Sequence, residues 1–343
     1  MFKKVVSLLG ILTMGAAMLS GCAGVPTTTA SAPATTEAAA DASTEEAAEA
    51  TTDKKFVIGM SQCNLGEPWR VAMNDQIAMA AANHPEFEII YADAAQDNSK
   101  QIADIENFVQ QGVDLIIASP NEATPLTNAV TSAYESGIPV ILLDRKIDGD
   151  GYTQFIGADN VDMGRVAGEY VADVLLPDGG KICEIKGLEG TSGGIDRDKG
   201  FREGIAKNPN LEIVAVNNAD WLREKAITVA EEMLQTNDEI DLFICLNDPM
   251  AEGAYIAAKN AGREGDILFV GFDGLPTPDG GIRSVMEKRI SMTQVYPTGG
   301  AEAIESAYQL LVEGKELDKV LTLSSEVVVP ENAPDLLKKY GGE

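Results

Sequence analysis

The sequence predicts an α/β protein made of two doubly wound lobes, in which helices cover both faces of parallel sheets. Short, nearly continuous apolar runs alternate with amphipathic segments of helical length, as buried parallel strands and their crossover helices do. This alternation occurs in two successive series along the chain. About 290 residues follow an N-terminal segment of different composition, which is enough for two hydrophobic cores. One large open sheet is the alternative.

The first series contains four predicted strands joined by three predicted helices. Gly112 and Gly137 follow two of the helices, at the position where helices commonly end. The strands are rich in β-branched residues, which favours parallel strands covered on both faces. The predicted strands are 56–60, 87–91, 113–118 and 138–143, and the predicted helices are 69–83, 99–111 and 122–136.

The second series repeats the architecture of the first without repeating its sequence. Its length and its own strand–helix alternation favour a second lobe over an extension of the first sheet. The predicted strands are 181–185, 211–216, 241–246 and 267–271, and the predicted helices are 195–207, 221–235 and 249–261.

The N-terminus has the order of a secretory signal. Lys3 and Lys4 precede an apolar stretch over 5–18, which is too short for a membrane-spanning helix. Leu-Ser-Gly-Cys follows and ends at Cys22, which matches the lipobox of bacterial lipoproteins. We therefore expect a signal peptide over 1–21 and a lipidated Cys22. An unmodified thiol beside an ordinary cleavage site is the alternative.

Residues 22–54 predict a lipidated cysteine and a disordered tether. The segment consists mostly of Ala, Thr, Ser, Pro and Glu, and it cannot bury enough apolar surface to offset its ordering entropy. Two acyl chains on Cys22 would suffice for stable anchoring. The sequence thus predicts an extracytoplasmic protein that is attached to the cell membrane through its lipid.

Charge and cysteine usage exclude several kinds of protein. A formal net charge of −28 disfavours nucleic-acid partners. His84 is the only histidine, and Cys63, Cys183 and Cys245 lack metal-ligand spacing, so we expect no metal and no cofactor. The last two cysteines lie in apolar strands and are expected to be buried thiols, with a disulfide between them left open.

Polar and aromatic residues follow most of the predicted strands. Ligands of open α/β sheets bind beyond the carboxyl ends of the strands, so these residues are the candidate site. The candidates are Glu67, Trp69, Arg70, Asp144, Arg145, Arg197, Trp221, Asn247, Asp273 and Gln294.

The chemistry of this set suits a monosaccharide. Carboxylates, amides and guanidinium groups can each satisfy sugar hydroxyls, and the two tryptophans can stack on the C–H face of a sugar ring. Each candidate also has a structural alternative. Asp144 and Arg145 could form a local ion pair, Asn247 could cap a helix, and either tryptophan could anchor the core.

Other site chemistries fit the sequence poorly. The glycine-rich stretch 187–194 lacks the Gly-Lys-Ser/Thr ending of a phosphate-binding loop, and 148–151 lacks the later ligands of a calcium loop. Glu67, Asp144 and Asp273 could supply the paired carboxylates of a glycosidase. We nevertheless expect no catalytic residue and a protein that is not an enzyme.

Five stretches carry a family resemblance, namely 143–147 (Leu-Asp-Arg-Lys-Ile), 157–160 (Gly-Ala-Asp-Asn), 195–201 (Ile-Asp-Arg-Asp-Lys-Gly-Phe), 247–250 (Asn-Asp-Pro-Met) and 271–274 (Gly-Phe-Asp-Gly). Through them the chain resembles periplasmic sugar-binding proteins of the ribose-binding type over 55–330. The resemblance implies a periplasmic binding protein type I fold, whose two lobes are joined by a three-segment hinge. It places the N-terminal lobe at 55–158 plus 295–323 and the C-terminal lobe at 159–294 plus 324–343.

The resemblance also implies roles for the candidate residues. Asp144 and Arg145 match the first-lobe pair that binds sugar hydroxyls, and Arg197 matches the second-lobe arginine. Trp221 stands where ribose binders stack a phenylalanine. The remaining polar contacts of the family match Asn247, Asp273 and Gln294.

The first loop departs from the ribose pattern. Pro68 is followed by Trp69 and Arg70, where ribose binders carry two adjacent aromatics. This loop is similar to that of galactofuranose-binding proteins. A guanidinium in place of an aromatic ring favours a ligand with another oxygen, so a hexose fits better than ribose. The alternative is that Arg70 pairs with an acidic neighbour at the rim of the site.

We therefore expect a monomeric solute-binding lipoprotein that captures a hexose or pentose, in pyranose or furanose form, and delivers it to an ABC importer. The alternative is a sensor that presents a sugar or a furanose-like signal to a chemoreceptor or sensor kinase. The resemblance implies both, and the sequence does not separate them.

Overall fold

The computed structural model describes residues 55–342. The predicted signal peptide, the lipidated Cys22 and the tether lie outside these residues. Among residues 55–342, no helix combines the length and the apolar character that crossing a lipid bilayer requires.

The strands, in chain order, are β1 (Phe56–Gln62), β2 (Phe87–Asp93), β3 (Leu115–Ala118), β4 (Val140–Leu143), β5 (Gln154–Ala158), β6 (Gly180–Lys186), β7 (Leu211–Asn218), β8 (Leu242–Cys245), β9 (Leu268–Val270), β10 (Thr293–Val295), β11 (Val320–Leu323) and β12 (Glu326–Val328). The helices are α1 (Pro68–Ala81), α2 (Asn98–Gln111), α3 (Ala123–Glu135), α4 (Asn160–Tyr170), α5 (Ser192–Ile205), α6 (Arg223–Thr236), α7 (Asp248–Asn260), α8 (Gly281–Met286), α9 (Gly300–Leu311) and α10 (Ala333–Lys339). A π-helical turn over Val171–Leu175 extends α4.

The strands form two separate parallel sheets. The first has the order β11-β5-β4-β3-β1-β2, and the second has the order β7-β6-β8-β9. A bridge between Val270 and Met292 carries the second sheet on towards β10, which pairs antiparallel with β12. The chain therefore has two lobes, and the alternative of one large open sheet is wrong.

The chain passes between the two sheets three times. It leaves the first sheet after β5, returns to the first lobe after β10, and crosses again between β11 and β12. On its return it forms α9, which packs on α1. Three connections of this kind are the arrangement that allows two lobes to hinge.

The sequence predicted most elements of the two strand–helix series but not the helices and short strands near the chain crossings. Strands β3, β4 and β8 are fully buried, which explains their continuous apolar sequences. No element was predicted from the sequence at α4, α8, α9 or α10, or at the three- to five-residue strands near the crossings. These strands are too short to show a period, and their pairing is decided by distant parts of the chain.

Helices α4 and α5 lie unusually close together because glycines face each other across their contact. A Cβ atom added at Gly200 would lie 2.0 Å from the carbonyl oxygen of Val161, and one added at Gly164 would lie 2.2 Å from that of Arg197. No larger residue fits at either position without moving a backbone. This close contact fixes α5, and therefore Arg197, against the segment that leaves the first sheet.

A buried carboxyl group in the second sheet predicts a pH-dependent stability. Glu184 on β6 is fully buried and accepts a hydrogen bond from Nη2 of Arg202 at 2.6 Å. Burial, together with the nearby Asp198, raises the pKa of Glu184 from 4.5 to about 7. The folded protein thus holds this proton more tightly than the unfolded chain. The resulting stability is present below pH 4.5 and is lost as the pH rises through about 7.

We expect the free energy of unfolding to be lower at pH 8 than at pH 5.5, by roughly 1–3 kcal/mol from this group. Urea denaturation at the two pH values measures the difference. The variant Glu184→Gln should show a smaller difference between the two pH values. Part of the difference should remain, because burial also raises the pKa values of Asp248 and Asp273. An unchanged pH dependence in Glu184→Gln would show that this carboxyl is not responsible.

Candidate ligand-binding site

A narrow cavity lies between the carboxyl ends of the two sheets, and its free space of about 20 Å³ holds little more than one water molecule. Residues from both lobes line it, and nine of the ten residues predicted from the sequence are among them. The lining consists of Glu67, Trp69, Arg70, Asp144, Arg145, Gly193, Arg197, Trp221, Asn247, Asp273 and Tyr296.

Asp144, directly after β4, is the centre of the first-lobe side. Its Oδ2 lies 2.6 Å from Nη2 of Arg70, and the two side chains are 5% and 4% exposed. Nη1 of Arg70 also donates to Oγ of Ser119 at 2.9 Å. Burial acts to raise the pKa of Asp144, but Arg70 and Arg145 overcome it and hold this pKa below its ordinary value. Arg70 therefore pairs with an acidic neighbour, as the alternative proposed, but inside the cavity instead of at its rim.

Arg145 is held by the first lobe and faces the second. Its Nη1 donates to the carbonyl oxygen of Asn121 at 2.8 Å, and its Nε lies 3.8 Å from Oδ2 of Asp144. Its Cζ lies 5.7 Å from the centre of the Trp221 ring, which belongs to the opposite side of the cavity. Arg145 therefore lies beside Asp144 and also lines the cavity.

Arg197 occupies the corresponding position in the second lobe. It projects from α5, and its Nε donates to Oδ1 of Asn160 at 2.7 Å while its Nη1 donates to the carbonyl oxygen of Leu246 at 2.6 Å. The guanidinium carbon lies 4.6 Å from the centre of the Tyr296 ring. These contacts fix the guanidinium plane at the wall of the cavity.

Asn247 is held by α7 and by the loop of Trp221, and Glu67 is held by its own loop. Asn247 caps α7, since its Oδ1 accepts from the backbone N–H of Met250 at 3.0 Å, and its Nδ2 donates to the carbonyl oxygen of Trp221 at 3.1 Å. Glu67 accepts from Nδ2 of Asn64 at 2.6 Å. Asn247 is therefore a helix cap and a lining residue at once.

Asp273 differs from the other acidic lining residues because its carboxylate receives no hydrogen bond from the described residues. It is only 7% exposed. Burial, followed by the repulsion of the nearby Asp248, raises the pKa of Asp273 well above its ordinary value. A buried carboxyl group that lines a cavity and accepts no hydrogen bond from residues 55–342 is well placed to bind a ligand hydroxyl.

Backbone strain is concentrated at this cavity. Asp144, Trp221 and Asp273 have φ angles of 69°, 70° and 124°, in the region that favours glycine. Such conformations cost about 1–3 kcal/mol each and persist where the surrounding structure imposes them. Their position at the ends of three different strands indicates that each side chain is aimed into the cavity at a cost to stability.

The two tryptophans have different surroundings. Trp69 stacks on Tyr296 with ring centres 4.9 Å apart and an angle of 9° between the planes, so protein already covers part of its surface. Trp221 is buried, and its indole N–H has no partner among residues 55–342. Gly187 makes room for it, because a Cβ atom there would lie 2.0 Å from Cε2 of Trp221.

The structure does not bring Gln294 into the cavity lining. Its Nε2 donates to the carbonyl oxygen of Met163 at 2.8 Å, and the side chain is buried beside the chain crossings. Gly193 and Tyr296 line the cavity and are absent from the set of residues predicted from the sequence. The sequence did offer one signal for Tyr296, because this aromatic residue directly follows Val295, where the chain crosses between the lobes.

The cysteines and acidic groups offer no further chemistry within the described residues. Cys63, Cys183 and Cys245 are buried and free, so the disulfide that the sequence left open is absent. No cluster of His, Cys, Asp and Glu side chains within residues 55–342 has the arrangement of a metal site. What the cavity offers is hydrogen bonding and ring stacking.

Comparison with known proteins identifies similar chains. Residues 58–316 match the family described as a periplasmic binding protein domain. The ribose import binding protein of Bacillus subtilis is 34% identical over 271 residues, which cover 78% of this chain and 86% of that protein. The galactofuranose-binding protein of Escherichia coli is 30% identical over 294 residues, which cover 82% of this chain and 90% of that protein.

A solved structure is similar over the same region. The fructose-binding periplasmic domain of a hybrid two-component system aligns with a TM-score of 0.80 and 40% sequence identity, covering 83% of this chain and 94% of that domain. These similarities confirm the predicted resemblance to ribose-type and galactofuranose binders. They also confirm the periplasmic binding protein type I fold.

Proposed function

The chain belongs to the periplasmic binding protein family, and we propose that it captures one monosaccharide between its two lobes and delivers it to an ABC importer. Its relatives are extracytoplasmic binding proteins, and this chain shares that location. One observation carries the proposal: nine residues predicted from separate strand ends line a single cavity between the lobes. Their groups bind and orient a sugar, and we propose that they catalyse no reaction.

The groups that line the cavity suit the hydroxyl groups of a neutral ligand. Three guanidinium groups and three carboxyl groups line it, and the guanidinium groups of Arg70 and Arg145 lie beside the carboxylate of Asp144. Arg70 forms an ion pair with Asp144, so its charge is already compensated within the protein. We propose a neutral hexose or pentose in pyranose or furanose form, which fits the ribose, galactofuranose and fructose that the relatives are named for.

We propose that the two lobes close around the sugar when it binds. We propose an N-terminal lobe of 55–158 plus 295–323 and a C-terminal lobe of 159–294 plus 324–343, with the three crossings as the hinge. Asp144 and Arg145 lie on one lobe, and Arg197 and Asp273 lie on the other. A ligand that contacts both sets stabilises the closed form, because only that form offers all the contacts.

A thermal-shift series tests the binding function. The purified protein is melted with D-ribose, D-fructose, D-galactose and, as an anionic comparison, D-galacturonate. A ligand at a hundredfold excess over its Kd contributes about 2.7 kcal/mol, which gives a clear rise in melting temperature. We expect a neutral sugar to give that rise. A response to none of them, or to the anion alone, would contradict the proposal.

Sensing is a second candidate function. The observation that favours it is the 40% identity to a fructose-binding domain of a two-component system. A strain that lacks this gene distinguishes import from sensing. Its uptake of the bound sugar is measured with isotope-labelled sugar. Loss of uptake supports import, whereas normal uptake with loss of the transcriptional response to the sugar supports sensing.

We further propose that Cys22 carries the lipid anchor and that the protein acts as a monomer. The lipobox sequence supports the anchor. Metabolic labelling with a radioactive fatty acid should mark the wild-type protein, and the Cys22→Ser variant should be unlabelled and released from the membrane. Light scattering should give the mass of one chain with and without sugar.

A further inference from the structure

We propose that Tyr296 is a specificity-determining residue of the sugar site. This inference rests on the proposed function and deepens it, because Tyr296 is absent from the set that the sequence marks. The residue lies directly after β10, where the chain returns to the first lobe, and its side chain is 3% exposed. It lines the cavity and contacts residues of both lobes.

The hydroxyl group of Tyr296 orients Asp144. It donates a hydrogen bond to Oδ1 of Asp144 and accepts one from Nδ2 of Asn160 at 3.3 Å. Burial and the adjacent carboxylate raise the pKa of Tyr296 above its ordinary value, so the hydroxyl keeps its proton and remains the donor. Because Arg70 binds the other oxygen of Asp144, a sugar reaches this carboxylate only through its remaining lone pairs.

The ring of Tyr296 limits the size of the ligand. It is stacked on Trp69, while the guanidinium of Arg197 lies 4.6 Å from its centre. The ring therefore fills space at the wall of the cavity in which a larger substituent of a ligand could lie. The backbone holds it there, since its N–H donates to the carbonyl oxygen of Asp273 and its carbonyl oxygen accepts from Nε1 of Trp69, both at 2.9 Å.

The two roles can be tested separately. Tyr296→Phe removes the hydroxyl and keeps the ring, and Tyr296→Leu also enlarges the cavity. Affinities are measured by calorimetry for D-ribose, D-fructose, D-galactose and their methyl glycosides, and the unliganded melting temperature of each variant is recorded. Tyr134→Phe is the matched control, because it removes the same atom from an exposed side chain.

We expect Tyr296→Phe to bind the sugar preferred by the wild type about 10- to 100-fold more weakly, which corresponds to one lost hydrogen bond to a charged group. Tyr296→Leu should raise the affinity for the methyl glycoside relative to the parent sugar about tenfold. A residue that only supports the fold would not change this ratio.

The outcomes separate this inference from the proposed function. If the wild type binds a sugar and both variants keep its affinity and its preference, Tyr296 does not determine specificity. If Tyr296→Leu does not fold, Tyr296→Phe decides alone, and wild-type affinity in it overturns the inference. If the wild type binds none of the sugars, the proposed function fails and this inference fails with it.

Discussion

Replacing Asp144 with alanine is expected to lower monosaccharide affinity about a thousandfold. Asp144 accepts from Arg70 and Tyr296 and lies at the centre of the first-lobe side. Its removal leaves the buried guanidinium groups of Arg70 and Arg145 without their carboxylate. Breaking a buried pair in this way costs about 3–5 kcal/mol, and the sugar also loses the carboxylate that would accept its hydroxyl groups. Calorimetric titration with the preferred sugar measures the loss.

Asp150→Ala is the matched control for this experiment. Asp150 lies in the same loop and is exposed, so the variant makes the same change of charge without touching the cavity. It should bind sugar as the wild type does. Near-normal affinity in Asp144→Ala would mean that the Arg70–Asp144 pair is structural and that the ligand binds elsewhere.

Replacing Arg197 with alanine should weaken binding at least a hundredfold. Its guanidinium is fixed by Asn160 and by the carbonyl oxygen of Leu246, so it presents its remaining N–H groups to the cavity in a fixed plane. Hydrogen bonds from a charged donor contribute about 1.5–3 kcal/mol each to stability or binding. Arg197→Lys should not restore affinity, because an ammonium group cannot reproduce the planar geometry of several donors.

Lys199→Ala supplies the control for Arg197. Lys199 lies on the same helix and is exposed, and its loss changes the net charge equally. Affinity is compared at one ionic strength, together with the melting temperature of the unliganded forms. If Arg197→Lys binds sugar as tightly as the wild type, the fixed guanidinium plane is not what the site uses.

The sequence was most informative where a local pattern decides the structure. Buried strands such as Leu115–Ala118 and Leu242–Cys245 are apolar throughout, so their position and parallel arrangement follow from the sequence. The site followed from the same reasoning. Once the strands were located, the polar residues that follow them were expected near the carboxyl ends of the sheets, and Asp144, Arg197 and Asp273 line one cavity there.

The sequence was least informative where distant segments decide the structure. Tyr296 contacts Trp69, which lies 227 residues earlier in the chain, and no local period reveals that contact. Gln294 lies outside the cavity lining for a related reason. Successive side chains of a strand point to opposite faces, and in a three-residue strand such as β10 the sequence does not show which face meets the cavity.

The partners of charged residues could not be predicted from local sequence patterns either. Arg70 and Asp144 are 74 residues apart, and their pairing depends on how the end of β4 lies beside the start of α1. The sequence could therefore propose that each residue binds a ligand or pairs with a neighbour. The structure shows Arg70 paired and still lining the cavity, so the two interpretations are compatible.

A crystal structure of the protein grown with the sugar that gives the largest thermal shift tests the central claim most directly. We expect one monosaccharide between the two sheets, within hydrogen-bonding distance of Asp144 or Arg145 on one side and of Arg197 or Asp273 on the other. A sugar bound outside this cavity, or held by residues of one lobe alone, would contradict it.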